Sequence, residues 1–284
     1  NAEGERKFYG QGAHTLHAAD VDGDGRDEVV LGSAVLDDDG APLWSTGRGH
    51  PDVCGVGDFI PTNPGLEIFY TLENPQKQNG TCIVDARTGT VLWGHPGETF
   101  HVGSGQVSDI DPAHPGCEAW AAEDPKSGAF GSGPPPRWLY SAAGELLAQG
   151  NDVPRTTSVA YWDGDTQREL LRGQPWDFQG GTYPPAIQGQ VLVVADVTGD
   201  WREEIITSLP GEVRIYTTTV PATDRHVCLL QDPTYRLALA DVSSGYYSQP
   251  MLGYLPTSDR SSALISGPQD GLAVRIPKER QVLA

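Results

Sequence analysis

Apolar and polar positions along this chain follow a pattern that recurs. An aspartate opens a polar turn, a glutamate or similar residue closes it, in most copies eight or nine positions on, and a short apolar run follows. The copies are DVDGDGRDEVVLG from Asp20, DFIPTNPGLEIFY from Asp58, DIDPAHPGCEAWA from Asp109, DGDTQRELL from Asp163 and DVTGDWREEIITS from Asp196. Apolar runs this short, bounded by Gly, Pro and Asp, predict strands, and no long helical period interrupts them. A second element alternates with the first. LDDDGAPLW (Leu36 to Trp44), VDARTGTVLW (Val84 to Trp93) and YSAAGELLA (Tyr140 to Ala148) each predict a hairpin. Asp39-Gly40, Thr88-Gly89 and Ala143-Gly144 supply residues that tolerate the turn. LPGEVRIY (Leu209 to Tyr216) is a looser fourth copy.

The opening aspartates lie 33 to 54 residues apart, 44 on average, which is the length of a four-stranded propeller blade. The predicted fold is therefore all-β, a β-propeller with four to five blades in residues 1–284. That stretch reads as one domain. FGSGPPPRW (Phe130 to Trp138) reads as a rigid connection inside the third unit.

Composition narrows the function. With 38 acidic against 19 basic residues the net charge is −19, which disfavours nucleic acid and anionic membranes as partners and suits cations. No run approaches the roughly 18 apolar residues of a membrane helix. The opening NAEGERKF has no apolar export segment, so any export signal is expected to have been removed. Cys54, Cys82, Cys117 and Cys228 have no zinc-site spacing. They read as disulfides of a secreted protein, with free buried thiols as the alternative. Asn79 to Thr81 form a glycosylation sequon, a weak signal by itself.

In the first acidic loop, Asp20, Asp22 and Asp24 alternate ahead of Gly25. Alternating oxygen ligands around one sharp turn suit Ca²⁺, and like charges so close repel unless a cation sits among them. The twelfth position is Leu31 and the closing carboxylate comes early, at Glu28, so the loop is not an EF-hand. Asp196, Asp200 and Glu204, and then Asp109, Asp111 and Glu118, are the weaker candidate metal sets.

Function is expected where the repeat breaks. GQGAHTLH (Gly10 to His17), STGRGHPDV (Ser45 to Val53), GETFHVGSGQVSD (Gly97 to Asp109) and FQGGTYPPAIQGQ (Phe178 to Gln190) each precede an acidic loop at the same place in the unit. In a propeller such connections converge on one face. They would gather His14, His50, Asp52, His101, Ser104, Thr182 and Tyr183.

Here the chain resembles a known family. GQGAHTLHAADVDGDGRDEVVLGS, STGRGHPD, DIDPAHPGCEAWA, YWDGDTQRELL, DVTGDWREEII, RIYTTTVPATDRHVCLLQDPTYRLALA and GYYSQP occur in the order seen in rhamnogalacturonan lyases of polysaccharide lyase family 11. The resemblance is to the C-terminal half of that family's catalytic domain. It implies an eight-bladed propeller, several Ca²⁺ ions and β-elimination at a galacturonic acid of the pectin backbone. It also implies roles at matching positions: Asp52, Gly181, Thr182 and Tyr246 would contact the uronate or its calcium. Two positions depart. Ser104 stands in the loop where the family has Arg, and Tyr183 stands where it has Lys.

β-Elimination needs the uronate carboxylate neutralised, a base for the C5 proton and an acid for the leaving oxygen. Tyr183 with His50 or His101 is the expected catalytic set, with a neighbouring cation lowering the Tyr183 pKa. Arg48 and His14 join the substrate contacts, Arg48 facing the carboxylate. The predicted function is a secreted polysaccharide lyase acting on rhamnogalacturonan or a related uronide with Ca²⁺. A second propeller half or a second copy is the expected protein partner. The alternative is a non-catalytic calcium propeller that binds glycans.

Overall fold

The computed structural model describes residues 7–127, 130, 133–222, 226–242 and 249–256. Five antiparallel sheets follow one another along the chain, each a simple meander. The first holds β1 (Gly12–Ala19), β2 (Glu28–Gly32), β3 (Ala34–Leu36) and β4 (Pro42–Ser45). The second holds β5 (Pro51–Gly57), β6 (Glu67–Leu72), β7 (Thr81–Asp85) and β8 (Val91–Gly94). The third holds β9 (Ser104–Ser108), β10 (Glu118–Ala122), β11 (Arg137–Tyr140) and β12 (Leu146–Gln149). The fourth has three strands, β13 (Val159–Ala160), β14 (Glu169–Leu171) and β15 (Pro175–Trp176). The fifth also has three, β16 (Gln190–Ala195), β17 (Glu204–Leu209) and β18 (Glu212–Tyr216). Each acidic loop joins the first strand of a sheet to its second, and each predicted hairpin forms the outer part of its sheet. The all-β expectation holds. The five sheets form an open series rather than a closed ring.

Successive sheets pack face to face. Val30, Val35 and Trp44 of the first meet Val56, Ile68 and Tyr70 of the second. Phe69 and Ile83 meet Val107 and Ala119 of the third. Trp120 and Leu139 meet Val159 and Leu170 of the fourth. Ala160, Trp162 and Leu171 meet Val194 and Ile205 of the fifth. A strand covered on both faces cannot alternate, which is why every residue of β6 and of β10 is buried.

The hairpin glycines lock neighbouring sheets together. Trp44 donates its indole N–H to the Ala86 carbonyl at 2.9 Å, and Trp93 does the same to Ala142 at 2.9 Å. Each ring lies on the turn glycine of the next sheet. Gly89 (φ +70°) leaves no room for a Cβ, which would sit 2.5 Å from Trp44, and Gly144 (φ +83°) would set one 2.7 Å from Trp93. Glycine is needed at both positions for its dihedral and for the close approach.

A helix that the apolar periodicity did not predict, α1 (Pro233–Asp241), lies against β1 and β5. Asp232 caps it, accepting from the backbone N–H groups of Thr234 and Tyr235, and Pro233 opens it. The Tyr235 hydroxyl accepts from the Asp196 amide at 3.1 Å and donates to Glu203 at 2.7 Å. Buried Arg168 pairs with Glu203 at 3.0 Å, donates to the Pro250 carbonyl at 3.0 Å and lies 4.5 Å over the Tyr161 ring. This network ties residues 229–242 and 249–254 to the fourth and fifth sheets.

The disulfide expectation fails. All four cysteines are free thiols, and Cys54, Cys82 and Cys117 are buried. Cys54 and Cys82 pair with Tyr70 from opposite sides of β6. Two strand spacings, roughly 9–10 Å, exceed the reach of a disulfide.

Candidate functional site

The first strands of the first three sheets begin side by side, so residues at or just before their starts share one rim. There β1 brings His14 and Thr15, β5 brings Asp52, and the approach to β9 brings His101 and Ser104. A cavity of about 570 Å³ opens over them, with Glu73, Gln106, Asp124, Thr157 and Gln249 also on its wall.

The connection carrying His50 is pinned from several sides. Gln11 accepts from the Gly49 amide at 3.0 Å, and Asn74 accepts from the His50 amide at 2.8 Å. Gly49 has φ +94°, with the Asn74 amide where a side chain would go. His50 Nδ1 lies 2.5 Å from the Gly12 carbonyl oxygen. A carbonyl only accepts, so Nδ1 carries the proton and Nε2 presents a lone pair. That Nε2 lies 3.1 Å from His14 Nε2, 3.9 Å from Asp52 Oδ1 and 3.7 Å from Glu73 Oε2. His14 Nε2 lies 3.4 Å from Asp52 Oδ1. One ligand atom from each of His14, His50 and Asp52 falls within 4.8 Å of the others, a separation at which one cation can be shared. The second Asp52 oxygen accepts from His101 Nε2 at 2.6 Å. By the same tautomer logic His101 Nδ1 is left as the basic nitrogen.

Four residues chosen from sequence, His14, His50, Asp52 and His101, therefore meet at one point. Others do not. Arg48 does not line the cavity, and its carbonyl accepts from Gln76 at 2.9 Å. Tyr183 is elsewhere too, its hydroxyl donating to Asp163 at 2.9 Å and to Asp177 at 3.1 Å. Burial, with these two carboxylates adding to it, pushes the phenol pKa up, so carboxylates stand where a cation was expected. Gly181 and Thr182 belong to the same turn. The Gly181 carbonyl accepts from Asp177, and Thr182 bridges to Trp176. Tyr246 lies outside the described residues. Sequence reasoning missed Glu73. Its signal was register: Glu73 follows β6 and its amide bonds the His50 carbonyl at 3.0 Å.

The acidic loops share one device. The closing glutamate of each is buried and accepts two consecutive backbone N–H groups of its own loop on one oxygen. Glu28 takes Val21 and Asp22, Glu67 takes Phe59 and Ile60, and Glu118 takes Ile110 and Asp111. Glu169 takes Trp162 and Asp163, and Glu204 takes Val197 and Thr198. Burial raises the pKa of all five, to about 7 for Glu67, about 8 for Glu118 and about 9 for Glu169.

The loops differ in what else converges. Asp20, Asp22 and Glu28 bring ligand atoms within 4.8 Å, and buried Glu28 Oε1 has no hydrogen-bond partner. Asp24 turns aside and accepts from the Arg26 amide at 2.9 Å. Asp163, Asp165 and Glu169 also converge, although sequence reading gave them no metal role. In the other two candidate sets the aspartates are taken by protein donors, although buried Glu118 Oε1, like Glu28 Oε1, has no hydrogen-bond partner. Asp109 accepts from Gln167, and Asp111 from Ala113, His114 and Gln179. Asp196 accepts from the amides of Gly199, Asp200, Trp201 and Leu229, and Asp200 pairs with Arg202.

Residues 1–262 match the C-terminal domain of rhamnogalacturonan lyase family 11. The chain is 40% identical over 265 residues to the rhamnogalacturonan endolyase YesW of Bacillus subtilis (strain 168), covering 87% of this chain and 40% of that protein. It is 37% identical over 276 residues to the rhamnogalacturonan exolyase YesX of the same organism, covering 88% and 44%. The crystal structure of YesW superposes with a TM-score of 0.77 at 38% identity, over 90% of this chain and 44% of that one. The chain thus spans less than half the length of these relatives.

Proposed function

The chain belongs to rhamnogalacturonan lyase family 11, and we propose that it carries the reaction cleft of a lyase that cleaves rhamnogalacturonan, or a related uronide, by β-elimination. YesW and YesX are named for endo- and exo-action on rhamnogalacturonan. The observation that carries the reading is electrostatic. Asp52, Glu73 and Asp124 line the cavity and, among the described residues, no Lys or Arg does. An anionic sugar can enter such a cavity only alongside a cation.

His14, His50 and Asp52, with Glu73 beside them, are the residues that would hold a divalent cation. Mixed imidazole and carboxylate donors whose ligand atoms converge fit one once the proton between the two imidazoles is displaced. A bound cation would neutralise the uronate carboxylate and so acidify the C5 proton. His101 is the base: Asp52 fixes its ring, and Nδ1 takes the proton. Ca²⁺ is the ion proposed for the oxygen-only loop of Asp20, Asp22 and Glu28, where the unpartnered Glu28 oxygen supports it. A polymer that cannot cross a membrane puts this chemistry outside the cell.

Face-packed meanders with adjoining first strands support reading the five sheets as propeller blades. Val213 and Ile215, 66% and 58% exposed on the fifth sheet, support further sheets packing there to complete a ring.

The test is the ultraviolet absorbance of a C4–C5 double bond during incubation with rhamnogalacturonan, with Ca²⁺ or with chelator. Absorbance should rise with Ca²⁺ and stay flat with chelator or in His50→Ala. Undiminished activity in chelator would sink the cation-dependent mechanism. Glycan binding with no absorbance change would return the chain to the alternative of a binding propeller.

A further inference from the structure

We infer that Glu123 is a positioning residue for His101, acting through two backbone amides rather than on substrate. The inference rests on the reading of His101 as the base. Glu123 directly follows β10 and is 3% exposed. It stands outside the repeat that supplies the five loop glutamates. Its two oxygens are divided between two consecutive amides: Oε1 accepts from Phe100 N–H at 2.8 Å and Oε2 from His101 N–H at 2.8 Å. The next residue closes the clamp from the other side, since the Asp124 amide donates to the His101 carbonyl at 2.8 Å. His101 is therefore held at both its N–H and its C=O by Glu123-Asp124, and its ring reaches Asp52 at 2.6 Å.

A buried carboxylate is costly unless its charge is answered by donors. Among the described residues no Lys or Arg pairs with Glu123, and apart from the His95 imidazole within reach of its charge the two amides answer it. Such an expensive group is spent on the approach to β9, a connection that ordinary turn hydrogen bonds could have held. The result is a fixed Cα for His101, and a base must be fixed to well under an ångström to work. Glutamine cannot replace it without loss, because its NH₂ would face an N–H that needs an acceptor.

The experiment is a double-mutant cycle on the full polypeptide with Glu123→Gln, Glu123→Asp, His101→Gln and the double variant Glu123→Gln/His101→Gln. Turnover on rhamnogalacturonan is followed with substrate in excess, at enzyme concentrations high enough that slow variants remain measurable, and melting temperatures are recorded alongside. Glu123→Gln should lower kcat about 30-fold, equivalent to about 2 kcal/mol, with KM within about twofold. Glu123→Asp, which keeps the charge, should recover most of that loss. On a His101→Gln background Glu123→Gln should cost less than about threefold, because its route is already cut. A full 30-fold loss on that background would overturn the inference while leaving the base assignment intact. Wild-type turnover in His101→Gln would instead overturn the base assignment, and this inference with it. Loss of the fold in both Glu123 variants would make the carboxylate a core group and overturn the inference as well.

Discussion

Replacing Arg168 by Met tests how residues 229–242 and 249–254 are held to the sheets. Arg168 is 3% exposed and makes two hydrogen bonds of 3.0 Å, to Glu203 and to the Pro250 carbonyl, besides its place over Tyr161. Methionine refills most of the volume, so the loss is electrostatic. Breaking a buried pair from one side typically costs about 3–5 kcal/mol, because a charge is left without its partner. Here Glu203 keeps the Tyr235 hydroxyl at 2.7 Å and the Tyr161 amide at 3.0 Å, which puts the cost at the low end, about 3 kcal/mol. For a chain of this size that is roughly 6–12 °C in melting temperature. Urea unfolding at neutral pH, with calorimetry, measures it. Adding Glu203→Gln should restore about half of the loss, since the stranded charge goes with it. A loss below about 1 kcal/mol, or a double variant less stable than the single one, would refute the buried-pair account. Pro250 follows Gln249, which lines the cavity, so Arg168→Met should also raise KM on rhamnogalacturonan.

Gly40 and Gly144 both have positive φ, but only Gly144 has a tryptophan where its Cβ would go. Alanine at Gly40 should cost about 1 kcal/mol from the dihedral alone, and at Gly144 about 2–4 kcal/mol because Trp93 must move. Equal losses in urea titrations would mean that Trp93 is not packed against that turn. Burial raises the Glu67 pKa to about 7 from an ordinary 4.5, so the folded state favours the protonated acid. Its contribution to stability is complete below about pH 4.5 and is lost as pH rises through 7. Glu67→Gln should remove that share of the slope between pH 4.5 and 7 in a series of melting temperatures, and an unchanged slope would contradict it.

Much of this architecture was legible because it repeats. The spacing of Asp20, Asp58, Asp109, Asp163 and Asp196 marked the first connection of each sheet. The turns at Gly40, Gly89 and Gly144 marked the outer hairpins, and the tryptophans ending two of them proved to be the pins to the next sheet. What local pattern could not show was pairing across sheets. Cys54 and Cys82 look bondable until register puts β6 between them. Tyr183 looked free to meet a histidine because nothing near it in sequence says that Asp163 will take its hydroxyl. The helix at Pro233 was signalled by Asp232 and Pro233 rather than by apolar period, since only Tyr235 within it is buried.

The site was legible for a different reason. His14, His50 and His101 occupy the same place in three successive units, and equivalence in a repeat becomes proximity when first strands lie side by side. The same logic separates the two kinds of carboxylate in this strongly acidic chain. The loop glutamates recur in every sheet and each gives one oxygen to two backbone amides, so the fold itself accounts for their burial. Asp52 and Glu73 face the cavity, and the groups nearest them are imidazoles, which are neutral when presenting lone pairs. Charge that the fold does not consume is left to attract a cation, and on that cation depends whether an anionic polymer can enter a cleft of its own sign.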